Sequence, residues 1–167
     1  MSDSIRILGI DPGSRITGYG FVDARRDQTA LVHWGMIKTD GDHSSRLRQI
    51  FTEVSALVAQ YEPSEIAVER VFVNKNADSA LKLGQARAAA LCATFEAELP
   101  IYEYAARHVK KAVVGSGGAD KSQVQHMIKM LLGMREAPQA DAADALAVAL
   151  CHSHERNTQA LYRKATA

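Results

Sequence analysis

The chain has 167 residues, 47% apolar and 23% charged, with a formal net charge of +1. Its length suits one compact domain with a sizeable core, and its composition is ordinary for a globular protein. The near-neutral balance excludes a protein held to nucleic acid by overall charge alone, and the two cysteines are too few for a disulfide framework. Cys92 and Cys151 each lie in an alanine-rich stretch and are expected as buried, reduced thiols. The first residues carry no basic region leading into an apolar run, and no apolar run approaches the roughly 20 residues that span a bilayer. A cytoplasmic protein with no membrane partner is expected.

In chain order, Ile5 to Asp11 reads as a short apolar strand ending in a charge, and Asp11-Pro12-Gly13-Ser14 is turn chemistry. Thr17 to Val22 and Leu31 to Lys38 read as two more strands, and the short links favour an antiparallel meander. Ser44 or Ser45 can cap a helix in which Leu47, Ile50, Phe51, Val54, Leu57, Val58 and Tyr61 recur at three- and four-residue steps, until Pro63 stops it. Glu65 to Arg70 is a fourth strand, followed by a loop over residues 71–76. Ala77 to Leu99 is expected as one long helix ended by Pro100, and Ile101 to Tyr104 as a fifth strand. A helix over Arg107 to Val114 precedes the glycine-rich Gly115-Ser116-Gly117-Gly118. Asp120 can cap another helix to about Leu132, and Pro138 opens a last one to about His152. The order β-β-β-α-β-α-β-α-α gives an α/β fold, a mixed five-stranded sheet flanked by helices. Residues 1–154 are expected as a single domain, with 155–167 a polar, frayed tail.

Asp11 and Glu69 each lie at a strand end, where two acids can converge on one rim of a sheet. Each alone is equally well read as the point where a strand meets water. Asp141 and Asp144 are three apart, so on a helix they share a face. Acids in a first turn also complement the helix dipole. Yet they sit in Gln139-Ala140-Asp141-Ala142-Ala143-Asp144-Ala145-Leu146-Ala147, whose small residues allow close approach to a sheet. Two like charges on a buried helix repel unless a cation lies between them. Hard divalent cations such as magnesium suit such carboxylates, and two ions about 3.5–4 Å apart can clamp a phosphodiester displacement. Zinc would call for a histidine or cysteine cluster. His152 and His154, two apart, are expected to face solvent.

Gly9-Ile10-Asp11-Pro12-Gly13-Ser14 followed by Thr17-Gly18-Tyr19-Gly20 resembles the opening of the RuvC family, the bacterial Holliday-junction resolvases. Val68-Glu69-Arg70-Val71-Phe72, Lys75 to Arg87 and Gln139 to Ala145 are similar to the family's further motifs, in order, to about residue 152. The resemblance implies a ribonuclease-H-like fold with Asp11, Glu69, Asp141 and Asp144 as catalytic and metal-holding acids. It implies magnesium, two ions per site with manganese as a substitute, and a homodimer. The implied activity is paired, symmetric nicking of opposed strands in four-way junction DNA during recombination and repair, at a short thymine-containing sequence. RuvA and RuvB are the implied branch-migration partners.

Residues 101–135 carry Arg107, Lys110, Lys111, Lys121, Lys129 and Arg135 against Glu103 and Asp120, a local surplus of positive charge suited to phosphates. Lys129 and Arg135 read as a solvated helix face. Lys110 and Lys121 match basic positions near the family's active site, and Lys121 can stand at a helix N-terminus, where phosphates bind well. Phe72, by itself, reads as a core anchor under its loop, whereas the resemblance implies a ring that stacks on a base at the junction. The helix from Ala77 is a candidate dimer face or simply core. Three rivals remain: a nucleotide-binding protein of the actin and sugar-kinase type, suggested by Asp11-Pro12-Gly13; a nuclease of this fold acting on structured RNA; and a junction-binding module without activity, against which the intact acids count. Gly115 to Ser122 fails as a phosphate-binding loop, because Asp120 stands where a glycine is needed.

Overall fold

The computed structural model describes residues 4–26, 28–71 and 76–165, with side chains described as far as Gln159. Strands β1 (Ile5–Asp11), β2 (Ile16–Ala24) and β3 (Thr29–Lys38) form the meander. Helix α1 (His43–Tyr61) leads into β4 (Glu65–Glu69), and α2 (Ala77–Cys92) leads through a 3₁₀ turn at Phe95–Ala97 into β5 (Ile101–Tyr104). Helices α3 (Ala106–Val114), α4 (Lys121–Leu131) and α5 (Ala140–Ala165) complete the chain. The sheet runs β3-β2-β1-β4-β5. Its β3-β2-β1 half is antiparallel, while β4 and β5 run parallel to β1. The mixed five-stranded sheet expected from the element order is therefore present, and the parallel half has its strand C-termini on one edge.

Alternation along the strands sends side chains to two cores. Leu8, Ile10, Ile66 and Val68 pack with Ile50, Val54 and Val58 of α1 and Ala86 and Ala90 of α2. Ile7, Val22 and Ala67 pack on the other face with α3, α4 and the buried stripe of α5. Asp11 and Glu69 follow Gly9 and Ala67 by two residues, so the period-2 alternation puts both on the α5 face. There the helix lies unusually close. A Cβ added to Gly9 would stand 2.0 Å from the carbonyl oxygen of Ala145, and one added to Gly18 would stand 2.0 Å from that of Asp141. Alanines on the helix and glycines on the sheet thus let α5 sit almost against the backbone of β1 and β2.

Several boundaries differ from the sequence reading, each for a local reason. Asp42 caps α1, accepting from the Ser45 amide at 2.7 Å, so the helix starts ahead of Ser44. α2 ends at Cys92, short of Leu99: Thr94 turns its hydroxyl back onto the Leu91 carbonyl, and Glu98 takes a left-handed φ of 51°. α5 continues well past His152, to Ala165, through the stretch expected as a frayed tail. Cys151 is buried as expected, but Cys92 is exposed. His154 faces solvent; His152 is buried at 2% exposure, because the lengthened α5 carries it under β5 instead of into water. Among the described residues no helix is long and apolar enough to cross a membrane.

Candidate active site

Asp11 closes β1 and Glu69 closes β4, two adjacent parallel strands, so their carboxylates reach the same edge of the sheet. The turn after Asp11 is braced by Thr17, which is fully buried, accepts from the Gly13 amide and donates to the Gly13 carbonyl at 2.9 Å. Asp144 stands on α5, one turn beyond Asp141, on the face turned to these strands. Asp11, Glu69 and Asp144 line a single pocket of about 310 Å³ together with Lys110, Lys121, Ala106, Val109, Val124 and Ala147. Lys110 enters from α3. Lys121 is the first residue of α4, which Asp120 and Gln123 cap reciprocally. That placement sets a positive side chain and the positive end of a helix at the pocket mouth.

Burial and mutual repulsion raise the acids of the pocket, and the two lysines oppose that rise. Burial, then the charges of Asp144, Glu69 and Asp141, push the Asp11 carboxyl up to about 8. Burial raises Glu69 as well, with Asp144 adding and Lys110 and Lys121 opposing. Burial raises Asp144, where Lys121 opposes, Asp141 adds and Lys110 opposes. Asp141 is not on the pocket wall, but its charge is felt by both aspartates inside it. Acids from three separate stretches of the chain are thus brought together: Asp11 lies within electrostatic reach of Glu69, Asp141 and Asp144, and Lys110 and Lys121 act on Glu69 and Asp144. Phe72 lies outside the described residues. Lys129 lies in the last turn of α4 and does not line the pocket.

Among the described residues, no three His, Cys, Asp or Glu side chains stand close enough to close on one ion. Magnesium does not need three side-chain ligands in one place, since it keeps much of its water and takes one or two carboxylates plus substrate phosphate oxygens. The donors are all oxygen, and the raised carboxyls are groups that a divalent cation would return to their ionised form. The residues therefore fit a hard divalent ion.

The sequence reading missed the apolar floor of the pocket, formed by Val109, Val124 and Ala147. It also missed the buried polar chain around His152. His152 follows Asp144 by eight residues, which is two helical turns on one face, and that spacing was the available signal.

A mixed 3-2-1-4-5 sheet, with acids at the ends of two parallel strands and on the helix packed across them, defines a ribonuclease-H-like protein. Its crevice lies outside the carboxyl ends of the strands, where open α/β sheets bind ligands. The family model described as crossover junction endodeoxyribonuclease RuvC matches residues 7–152, and the chain belongs to that family. A relative from Tolumonas auensis, named crossover junction endodeoxyribonuclease RuvC, is 56% identical over 153 residues, covering 91% of this chain and 88% of that protein. The Thermus thermophilus RuvC solved in complex with a Holliday junction substrate superposes with a TM-score of 0.86 at 34% identity, covering 93% of this chain and 96% of that one. The yeast mitochondrial Holliday junction resolvase Ydc2, 13% identical with a TM-score of 0.64 and covering 98% of this chain and 86% of that one, shares the fold.

Proposed function

We propose that this protein is a magnesium-dependent endonuclease that resolves four-way DNA junctions by paired nicks in strands of like polarity. The observation that carries the reading is the convergence of Asp11, Glu69 and Asp144 with Lys110 and Lys121 on one pocket at the sheet edge. Asp11, Glu69, Asp141 and Asp144 would hold two magnesium ions, with manganese as a substitute. Bound there, such ions supply an activated water and neutralise charge on the departing 3′ oxygen.

The chain's own groups do the rest. Lys121, exposed at the start of α4, draws a phosphate toward the acids and offsets their repulsion of the DNA backbone. Lys110 does the same from α3. The apolar floor of Val109, Val124 and Ala147 limits water in the pocket and strengthens each charge interaction. Phe72, three residues beyond Glu69, is assigned to stacking on an unpaired base beside the cut. A two-fold symmetric junction calls for a homodimer, each subunit cutting one strand. RuvA and RuvB are the expected suppliers of the substrate.

The test is a labelled synthetic four-way junction incubated with the protein, with and without magnesium, and the nicks mapped. Symmetric nicks that need the metal and disappear in Asp11→Asn support the reading. Equal cutting of structured RNA, or metal-independent nicking, overturns it.

A further inference from the structure

A buried polar chain occupies the opposite end of β4 from Glu69. Glu65 opens that strand and faces α5, and His152 Nε2 lies 2.6 Å from its Oε2. The Tyr104 hydroxyl lies 2.6 Å from His152 Nδ1, and Arg156 donates to Glu65 Oε1 at 3.1 Å. Tyr102 stacks on the histidine ring with centroids 4.2 Å apart. His152 is 2% exposed and Glu65 12%. One assignment satisfies the chain: a neutral ring donating from Nε2–H to Glu65 and accepting the Tyr104 proton at Nδ1. A further tie runs from α3, where His108 lies 2.8 Å from Glu155 of α5.

These contacts join the elements that carry the site. β4 carries Glu69, and Tyr104 of β5 is its cross-strand partner. α5 carries Asp141 and Asp144, with His152 two turns below Asp144. α3 carries Lys110. Among the described side-chain hydrogen bonds between α5 and the sheet, Thr29 Oγ1 and Ser153 Oγ at 2.8 Å tie the helix to β3, and the His152 chain ties it to β4 and β5, the strands at the Glu69 side of the site. The rest of that contact is apolar, with glycine against the helix backbone at Gly9 and Gly18 and with Leu146, Val148 and Leu150 in the core, and apolar burial is non-directional. A hydrogen bond loses its strength within a few tenths of an ångström and below about 120°. Buried polar contacts are costlier than apolar ones, and their best-attested use is setting register.

We propose that His152, held between Tyr104 and Glu65, is a positioning residue that sets the axial register of α5 on β4, and so the distance between Asp144 and Glu69. The inference rests on the metal-holding reading of the acids. It implies that breaking the chain weakens metal binding without altering junction binding, which depends on surface cations.

The test compares full-length His152→Phe, which keeps the ring stack and loses both hydrogen bonds, with Leu150→Ala, a core truncation on the same helix. Glu65→Gln is the conservative variant, retaining an acceptor for Nε2–H, and serves where His152→Phe does not fold. The readouts are the magnesium midpoint for raising Tm without DNA, junction Kd in EDTA, and kcat at saturating junction. Outer-shell partners of metal ligands typically alter affinity by about 10–100-fold. For a strut two turns away, the expected rise in the magnesium midpoint is about 5–10-fold in His152→Phe and less in Glu65→Gln, with kcat at fixed magnesium falling and junction Kd within about twofold. Leu150→Ala lowers Tm but leaves the magnesium midpoint unchanged. Equal midpoints in His152→Phe, or in Glu65→Gln used in its place, and in Leu150→Ala overturn the positioning role. A wild-type Tm that does not respond to magnesium, or that responds equally in Asp11→Asn, instead overturns the metal reading beneath it.

Discussion

Replacing Asp11 by Asn should stabilise the metal-free protein while abolishing its cutting. The Asp11 carboxyl is pushed up to about 8 by burial and by three neighbouring acids, whereas the unfolded chain titrates near 3.9. Below about pH 4 both states hold the proton, and the residue contributes no pH-dependent cost. As pH rises from 4 towards 8 the unfolded state releases its proton first, so folding stability falls; above about 8 both states are ionised and the cost is constant. At about 1.4 kcal/mol per pH unit, the ceiling is about 6 kcal/mol. Counter-ions and relaxation around an open pocket reduce this, and a net gain of about 1–2 kcal/mol is expected from Asn, a Tm rise of roughly 2–8 °C for a domain of this size. The assay is a series of thermal melts of both proteins in EDTA from pH 4.5 to 9. The Tm difference should be small at the acid end, grow with pH and level off above about 8. Millimolar magnesium should shrink it, since the ion supplies to wild type the charge that Asn made unnecessary. A difference independent of pH, or an Asn variant that melts below wild type at pH 8.5, would refute the electrostatic account of the site.

Three further outcomes are expected. Lys121→Ala should cut cleavage by about 100-fold, in the range seen when one preorganised electrostatic partner is lost, while Tm moves by less than about 2 °C, as for other exposed positions; steady-state cleavage beside a melt checks both. Lys110→Ala and Lys121→Ala should each lower the slope of log binding constant against log salt by about 1, measured by titration on a fluorescent junction in EDTA. Gly18→Ala forces a Cβ onto the Asp141 carbonyl oxygen, so α5 must lift at its catalytic end. A loss of about 1–3 kcal/mol and a larger proportional loss of cleavage are expected, and full activity at unchanged Tm would count against the close approach.

Much of this was legible in the linear chain. Turn chemistry after Asp11, the helical period of Leu47 to Tyr61 and Pro63 beyond it depend on residues a few positions apart, so the strands and helices could be read in order. The four acids stood out because charges interrupt apolar or alanine-rich runs, and the ordered motifs around them placed the chain in its family. No local pattern dictates that the acids meet. Their meeting depends on β4 lying beside β1 and on α5 crossing both, and contacts between residues 11, 69 and 144 are set by how the helices and sheet pack together. The same limit explains the errors. Two histidines two apart near the C-terminus share no helix face and look solvent-facing, and only the packing of α5 beneath Tyr102 and Tyr104 buries His152 against Glu65, 87 residues away. Local chemistry determined which segments become strand or helix and which acids were conspicuous. The assembled sheet decided which charges share a pocket, because desolvation and like-charge repulsion arise only when distant segments exclude water from one another.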